Sequence, residues 1–216
     1  MQLQQKHIDA FDQAETLVFH SNFCPYLELK GMLLDQSPLA RKRFRSLFSE
    51  FYGMNVAGLT DAFKDRFFEI LFDGSAIVDG KPDFFTVLNE LCSIRRKKGD
   101  YALPLSFVSK LVAMHLEASP IYDRHVLAFF GKATPLPTKP KQERIAWFID
   151  FLEQVAGDYV SWGRDQRVAT IVERLKSRDK RLADCDIVRL MDFLVWKVGN
   201  QKLLTVKSEL GTLTSL

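Results

Sequence analysis

Apolar residues recur at steps of three and four along most of this chain, and that spacing constrains its fold more than any other feature. Such steps place side chains on one face of an α-helix, whereas β-strands alternate with a period of two. The spacing is clearest in residues 8–18, 44–51, 63–71, 84–94, 145–155, 168–175 and 187–195. No alternating segment of convincing length accompanies them. The sequence therefore predicts an all-α fold of roughly nine to eleven helices.

Capping residues and prolines predict where several helices begin and end. Ser37 precedes Pro38, and Thr60 precedes the next apolar segment, so both are predicted N-caps. Gly99 is expected to end a helix that runs over residues 83–98, because glycine adopts the left-handed conformation that commonly follows a helix. These signals divide the chain into short helices joined by turns.

The domain organisation is predicted from one proline-rich stretch. Residues 133–141 contain three prolines and no strong apolar period, which is typical of a linker and also of a surface loop. We therefore expect either a single all-helical domain over residues 1–216 or two lobes that meet at a cleft near residues 99–141.

The composition excludes several classes of protein. Hydrophobic residues make up 47% of the chain and 18 residues are Phe, which requires a real interior rather than a disordered chain. Three widely spaced cysteines form no C-x-x-C pair, so neither a disulfide framework nor a cysteine zinc site is predicted. The four histidines follow no metal-ligand pattern. We expect no metal site and no cofactor.

Charge and hydropathy give the expected location and leave the partner open. The first residues lack the apolar core of a signal peptide, and no apolar run approaches the ~20 residues that a membrane helix needs. The cytoplasm is therefore the expected location. The formal charge of +3 permits nucleic-acid binding without indicating it. Basic residues do cluster at residues 41–45, 95–98 and 174–181. Each cluster is either a solvated helix face or a set of phosphate contacts.

One segment, residues 103–126, combines residues that could carry chemistry. Pro104 is predicted to begin a helix that carries Lys110 about two turns in, among mostly apolar neighbours. A lysine in such surroundings is partly desolvated, which makes its amine a better nucleophile. Pro120 ends this helix, and Asp123 lies where the next helix begins. In the alternative interpretation, Lys110 extends to solvent and Asp123 only caps a helix.

This segment resembles the core of the helix-hairpin-helix DNA glycosylases, particularly the branch similar to 8-oxoguanine glycosylases. In that superfamily a Leu-Pro-Gly-x-Gly hairpin precedes a helix with a catalytic lysine, and a catalytic aspartate follows. Leu103-Pro104 matches the hairpin opening, Lys110 the lysine and Asp123 the aspartate. The resemblance covers about two dozen residues. The chain departs from the pattern at the hairpin glycines, in the shorter spacing from lysine to aspartate, and in lacking a four-cysteine cluster.

The resemblance implies a DNA-binding protein of base-excision repair, a glycosylase and AP lyase that acts on a damaged base. The base would be flipped out of the duplex. Lys110 would attack the sugar C1′ and form a Schiff base, and Asp123 would stabilise the developing positive charge. The predicted DNA contacts are Arg95, Arg96, Lys97, Lys98, Ser109, Arg124 and His125. The alternative is a non-catalytic helical binding or regulatory module that kept the fold and lost the chemistry. The missing hairpin glycines favour that alternative.

Overall fold

Helices account for most of the chain, so the all-α prediction is confirmed. The computed structural model describes the backbone of residues 1–213 and the side chains of residues 1–201. The helices are α1 (Gln5–Val18), α2 (Cys24–Leu34), α3 (Pro38–Phe51), α4 (Asp61–Asp73), α5 (Phe84–Leu91), α6 (Leu105–His115), α7 (Arg124–Phe130), α8 (Lys141–Trp162), α9 (Gln166–Arg178) and α10 (Ile187–Leu213). A π-helical turn, Phe19–Phe23, connects α1 to α2, and a 3₁₀ turn, Lys180–Leu182, follows α9.

The chain forms two compact units. The terminal unit contains residues 1–21 and the chain from Glu117 onward, and the middle unit is Asn22–Leu116. The chain therefore passes from one unit to the other twice. The proline-rich residues 133–141 lie inside the terminal unit, as an irregular loop before α8.

The middle unit packs α2 to α6 around a cluster of aromatic side chains. Phe44, Phe48, Phe67 and Phe68 are all buried, and the rings of Phe48 and Phe67 are 5.4 Å apart. Aromatic pairs at this spacing add stability beyond the area they bury. The predicted N-caps are confirmed at both positions. The Ser37 hydroxyl accepts the first-turn N–H of α3, and the Thr60 hydroxyl accepts that of α4.

Within the described residues, the only sheet is a hairpin of two strands, each two residues long. Strand β1 (Ile77–Val78) pairs antiparallel with β2 (Lys81–Pro82). Asp79 and Gly80 connect them with φ angles of 49° and 73°. Two consecutive positive φ angles are what a tight hairpin turn requires, and an Asp-Gly pair adopts them readily.

Helix α5 ends at Leu91, so the prediction of a helix over residues 83–98 is wrong at its C-terminal end. The hydroxyl of Ser93 donates to the Glu90 carbonyl at 2.6 Å, which draws the backbone out of the helical pattern. After Ile94 come four basic residues, 95–98, which offer no apolar side chain to hold another helical turn against the core. Residues 95–98 therefore lie in an irregular turn rather than on a helix.

Helix α10 is the central element of the terminal unit, where it packs against α1, α7, α8 and α9. The predicted helix near residues 186–198 is confirmed, and it continues to Leu213. Helices α7 and α10 come into backbone contact at Gly199. A Cβ atom added there would lie 1.9 Å from the His125 carbonyl oxygen. Within the part of the chain that the structure describes, no helix combines the length and apolar character needed to cross a membrane.

Candidate active site

Lys110 occupies the buried face of α6 in the middle unit. The helix begins after Pro104, whose carbonyl accepts the N–H groups of Phe107 and Val108 at 3.0 Å. Apolar residues surround nearly the whole helix, so position 110 points inward despite its charge. Lys110 is only 6% exposed. The lysine therefore does not extend into solvent, as one interpretation of the sequence had it.

The Lys110 amine has a hydroxyl group and two aromatic rings among its neighbours. Its Nζ donates to Ser106 Oγ at 2.7 Å, one helical turn earlier. It also lies 5.5 Å from the centroid of the Tyr52 ring and 5.6 Å from that of Phe107. Ring faces attract a cation at this distance. Sequence reasoning missed Tyr52, because it directly follows α3 and no local pattern relates it to α6.

Asp123 is the N-cap of α7 in the terminal unit, as predicted. Its Oδ1 accepts the backbone N–H of His125 at 3.0 Å, and its side chain is 15% exposed. A carboxylate at this position satisfies a first-turn N–H group that has no partner within the helix. Asp123 therefore has a structural role, and its side chain is not fully buried.

Arg124 and His125 lie beside the Asp123 carboxylate. Arg124 Nε donates to His125 Nε2 at 3.2 Å. The same Nε2 atom is 4.0 Å from Asp123 Oδ1. The His125 ring is buried and packs edge-on against Trp196, with centroids 4.8 Å apart. Arg124 is exposed. Asp123, Arg124 and His125 thus form one local cluster.

The basic residues 95–98 lie in a turn of the middle unit. Arg96 and Asp100 form an ion pair, and the hydrogen bond from Arg96 lowers the pKa of Asp100. Arg95 Nε donates to Tyr101 Oη at 2.9 Å, and its guanidinium lies 5.5 Å from the centre of that ring. Lys97 and Lys98 are exposed. The turn therefore presents several cations to solvent on a folded backbone.

Ser109 is the one predicted DNA contact of the middle unit that faces inward. It is fully buried, and its hydroxyl donates to the Ser106 carbonyl oxygen at 3.1 Å. The predicted residues thus fall into three places: the Lys110 pocket with Ser109, the turn at residues 95–98, and the cluster at residues 123–125. The first two belong to the middle unit and the third to the terminal unit.

The cysteines and the acidic residues were the remaining candidates for a disulfide or a metal site. Cys24, Cys92 and Cys185 form no disulfide, and burial raises the pKa of Cys185 to about 12. Among the side chains of residues 1–201, no group of three or more His, Cys, Asp or Glu could hold a metal ion. The chain matches no protein-family model, no curated protein and no solved structure.

Proposed function

We propose that this chain binds DNA and excises a damaged base, with Lys110 as the nucleophile of a glycosylase and lyase reaction. The single observation that carries the proposal is the buried position of the Lys110 amine. Its neighbours include one neutral hydroxyl and two aromatic rings. A buried amine held in one place by a hydroxyl group and packed rings is oriented for nucleophilic attack on a carbon that is brought to it. The resemblance of residues 103–126 to a glycosylase core supports the same assignment.

The proposed reaction uses two side chains in different roles. The neutral amine of Lys110 forms a bond to the sugar C1′ as the bond from C1′ to the base breaks, and the base leaves with that electron pair. The amine proton then passes to the sugar ring oxygen as the bond from C1′ to that oxygen breaks, and the nitrogen lone pair forms the double bond of a Schiff base. The Asp123 carboxylate stabilises the positive charge that develops on the sugar. Ser106 orients the amine through its 2.7 Å contact. Borohydride reduces a Schiff base, so covalent trapping on damaged oligonucleotides tests the proposal directly.

The turn at residues 95–98 is the proposed phosphate-binding surface. Reversing the charge of Lys97 and Lys98 with glutamate should weaken DNA binding and flatten its salt dependence. Each lost phosphate contact should reduce the slope of log Kd against log salt by roughly one. Fluorescence anisotropy over a salt series measures both quantities.

A matched control uses Lys132 and Lys139, which are exposed and lie outside the three basic clusters. Their reversal changes the net charge by the same amount. If both double variants weaken binding equally, the effect is one of net charge and the turn is not a specific contact. Absence of DNA binding by the wild-type chain at low salt would contradict the proposal itself.

Asp123→Asn should separate the chemical role of this residue from its capping role. The asparagine oxygen still accepts the His125 N–H, so the loss of stability should be about 1 kcal/mol or less. Removal of the charge should slow base release by about 100-fold, the scale of losing one electrostatic stabiliser. Single-turnover base release and chemical denaturation measure the two effects.

Asp165→Asn is the matched control, because Asp165 is the N-cap of α9 and likewise accepts the N–H two residues later, that of Arg167 at 2.9 Å. It should cost similar stability and leave base release unchanged. If Asp123→Asn unfolds the protein, or if both variants release base at the wild-type rate, Asp123 is a structural cap and nothing more.

A non-catalytic binding module is the second candidate. The observation that favours it is that Asp123 caps α7, which accounts for an aspartate at this position without any chemistry. The absence of the hairpin glycines points the same way, since Leu105 and Phe107 occupy their positions. DNA binding without any trapped adduct, across a broad panel of lesions, would favour this candidate.

A further inference from the structure

A charged pair lies completely inside the terminal unit, on the side of α10 that faces the core. Arg189 is 0% exposed and Asp192 is 2% exposed. The two residues are three apart on the helix, and Arg189 Nη1 donates to Asp192 Oδ2 at 2.5 Å. Charged side chains are almost never buried to this degree without a specific set of partners.

The pair binds the backbone just before Asp123. Arg189 Nη2 donates to the carbonyl oxygen of Ser119 at 2.9 Å. Asp192 Oδ2 accepts the N–H of Ile121, also at 2.9 Å. These two groups flank Pro120, which has no backbone N–H and so cannot donate a hydrogen bond of its own. The pair therefore holds both ends of a three-residue segment.

Tyr122, which lies between this segment and Asp123, is also held in place by its side-chain contacts. The Tyr122 ring packs against Phe148, with centroids 5.3 Å apart, and its hydroxyl is 2.6 Å from the Thr134 hydroxyl. Asp123 follows at once and caps α7. Residues 119 to 123 thus have fixed contacts at almost every position.

A gain in the free energy of unfolding does not explain why this charged pair is buried. Burial raises the pKa of Asp192 to about 7, although the Arg189 guanidinium and the Ile121 N–H oppose the rise. The Tyr159 hydroxyl, on α8, also lies near this carboxyl group. A carboxyl group whose pKa is raised on folding contributes stability below its unfolded pKa of 3.8, and that contribution is lost as the pH rises toward 7. Buried ion pairs are often no better for stability than apolar residues of similar size.

We propose that Arg189 and Asp192 are positioning residues, which fix residues 119–121 and thereby set the orientation of the Asp123 carboxylate. This inference rests on the proposed function, because only there does the orientation of Asp123 affect a reaction. It assigns a role to two residues that lie more than 60 positions from Asp123 in sequence.

The test replaces the pair by apolar residues of similar size, Arg189→Met with Asp192→Leu. This double variant removes both contacts to residues 119–121 and leaves no buried charge behind. The conservative variant Asp192→Asn keeps an oxygen that can accept the Ile121 N–H. The control is Glu15→Gln with Arg178→Gln, a pair 2.5 Å apart in the same unit that joins α1 to α9.

Two structural readouts by NMR test the positioning role without any activity. In the double variant, the Ile121 amide should exchange with solvent about tenfold faster or more, as expected for loss of a hydrogen bond to a charged group. The His125 amide resonance, which reports the contact with Asp123, should shift. Asp192→Asn should restore slow exchange at Ile121, and the control pair should change neither signal. Unchanged Ile121 exchange and an unchanged His125 signal in the double variant would overturn the inference.

Single-turnover base release gives the third readout. The double variant should release base about 100-fold more slowly at saturating DNA, with Kd unchanged, because a misplaced catalytic group costs rate rather than affinity. The inference would also be overturned if the double variant released base at the wild-type rate although its Ile121 and His125 signals had changed. If the wild-type chain releases no base, the proposed function fails, and the two NMR readouts still decide whether the pair positions Asp123. If the double variant does not fold, exchange in the wild-type chain decides the question. An Ile121 amide that exchanges as fast as those of Thr134, Leu136 and Thr138 would contradict the inference.

Discussion

Gly199→Ala should be among the most damaging single substitutions in the terminal unit, with a loss of about 3 kcal/mol or more, at the upper end for overpacking a closely packed interior. The added Cβ would lie 1.9 Å from the His125 carbonyl oxygen and 2.7 Å from its carbonyl carbon. Both obstacles are backbone atoms of α7, so no side-chain rotation relieves the clash. Helices α7 and α10 would have to separate. Urea denaturation followed by circular dichroism measures the loss.

Gly157→Ala is the matched control for this prediction. Gly157 lies inside α8 in the same unit, and a Cβ added there meets nothing within 4 Å. Alanine is the better helix former, so this variant should gain about 0.5–1 kcal/mol. Equal stability changes in the two variants would mean that the backbones of α7 and α10 are not in contact at Gly199.

Lys110→Gln should abolish strand cleavage and covalent trapping, with a loss of at least about 1000-fold, since removal of a nucleophile leaves only binding and electrostatic contributions. Glutamine is of similar length and can still donate to Ser106, so the fold of α6 should persist. DNA affinity should stay close to that of the wild-type chain, because the amine acts on the sugar rather than on phosphates. Gel assays of cleavage and anisotropy measurements of binding separate the two effects.

Lys30→Gln provides the comparison for Lys110. Lys30 is a half-buried lysine of the same unit, and its Nζ donates to the Met114 carbonyl oxygen at 3.2 Å. Its substitution should leave cleavage unchanged. If Lys30→Gln lowers cleavage as much as Lys110→Gln does, the loss reflects the packing of the middle unit and not the chemistry of Lys110.

Features with a local cause could be predicted from the sequence. The N-caps at Ser37, Thr60 and Asp123 depend on hydrogen bonds to residues only two or three positions away, and the structure has all three. The end of α5 at Leu91 was missed, because the apolar spacing continues to Ile94 while the Ser93 hydroxyl already competes for the backbone.

Contacts between distant residues could not be predicted in the same way. Tyr52 comes to the Lys110 amine from the end of another helix, and no spacing rule connects the two. Arg189 and Asp192 did leave a signal, since they interrupt an otherwise apolar segment of α10 on its buried side. A buried charge three residues from its partner indicates a specific role, but the sequence alone does not reveal that the partners include the backbone of Ser119 and Ile121.

The most direct test of the proposed chemistry is borohydride trapping on oligonucleotides that carry a panel of damaged bases, followed by peptide mapping of the adduct. We predict a covalent complex with at least one lesion, carried by the peptide that contains Lys110 and missing in Lys110→Gln. An adduct on a different lysine would contradict the assignment of Lys110. No adduct with any lesion, from a wild-type chain that binds DNA, would contradict base excision and leave the binding module.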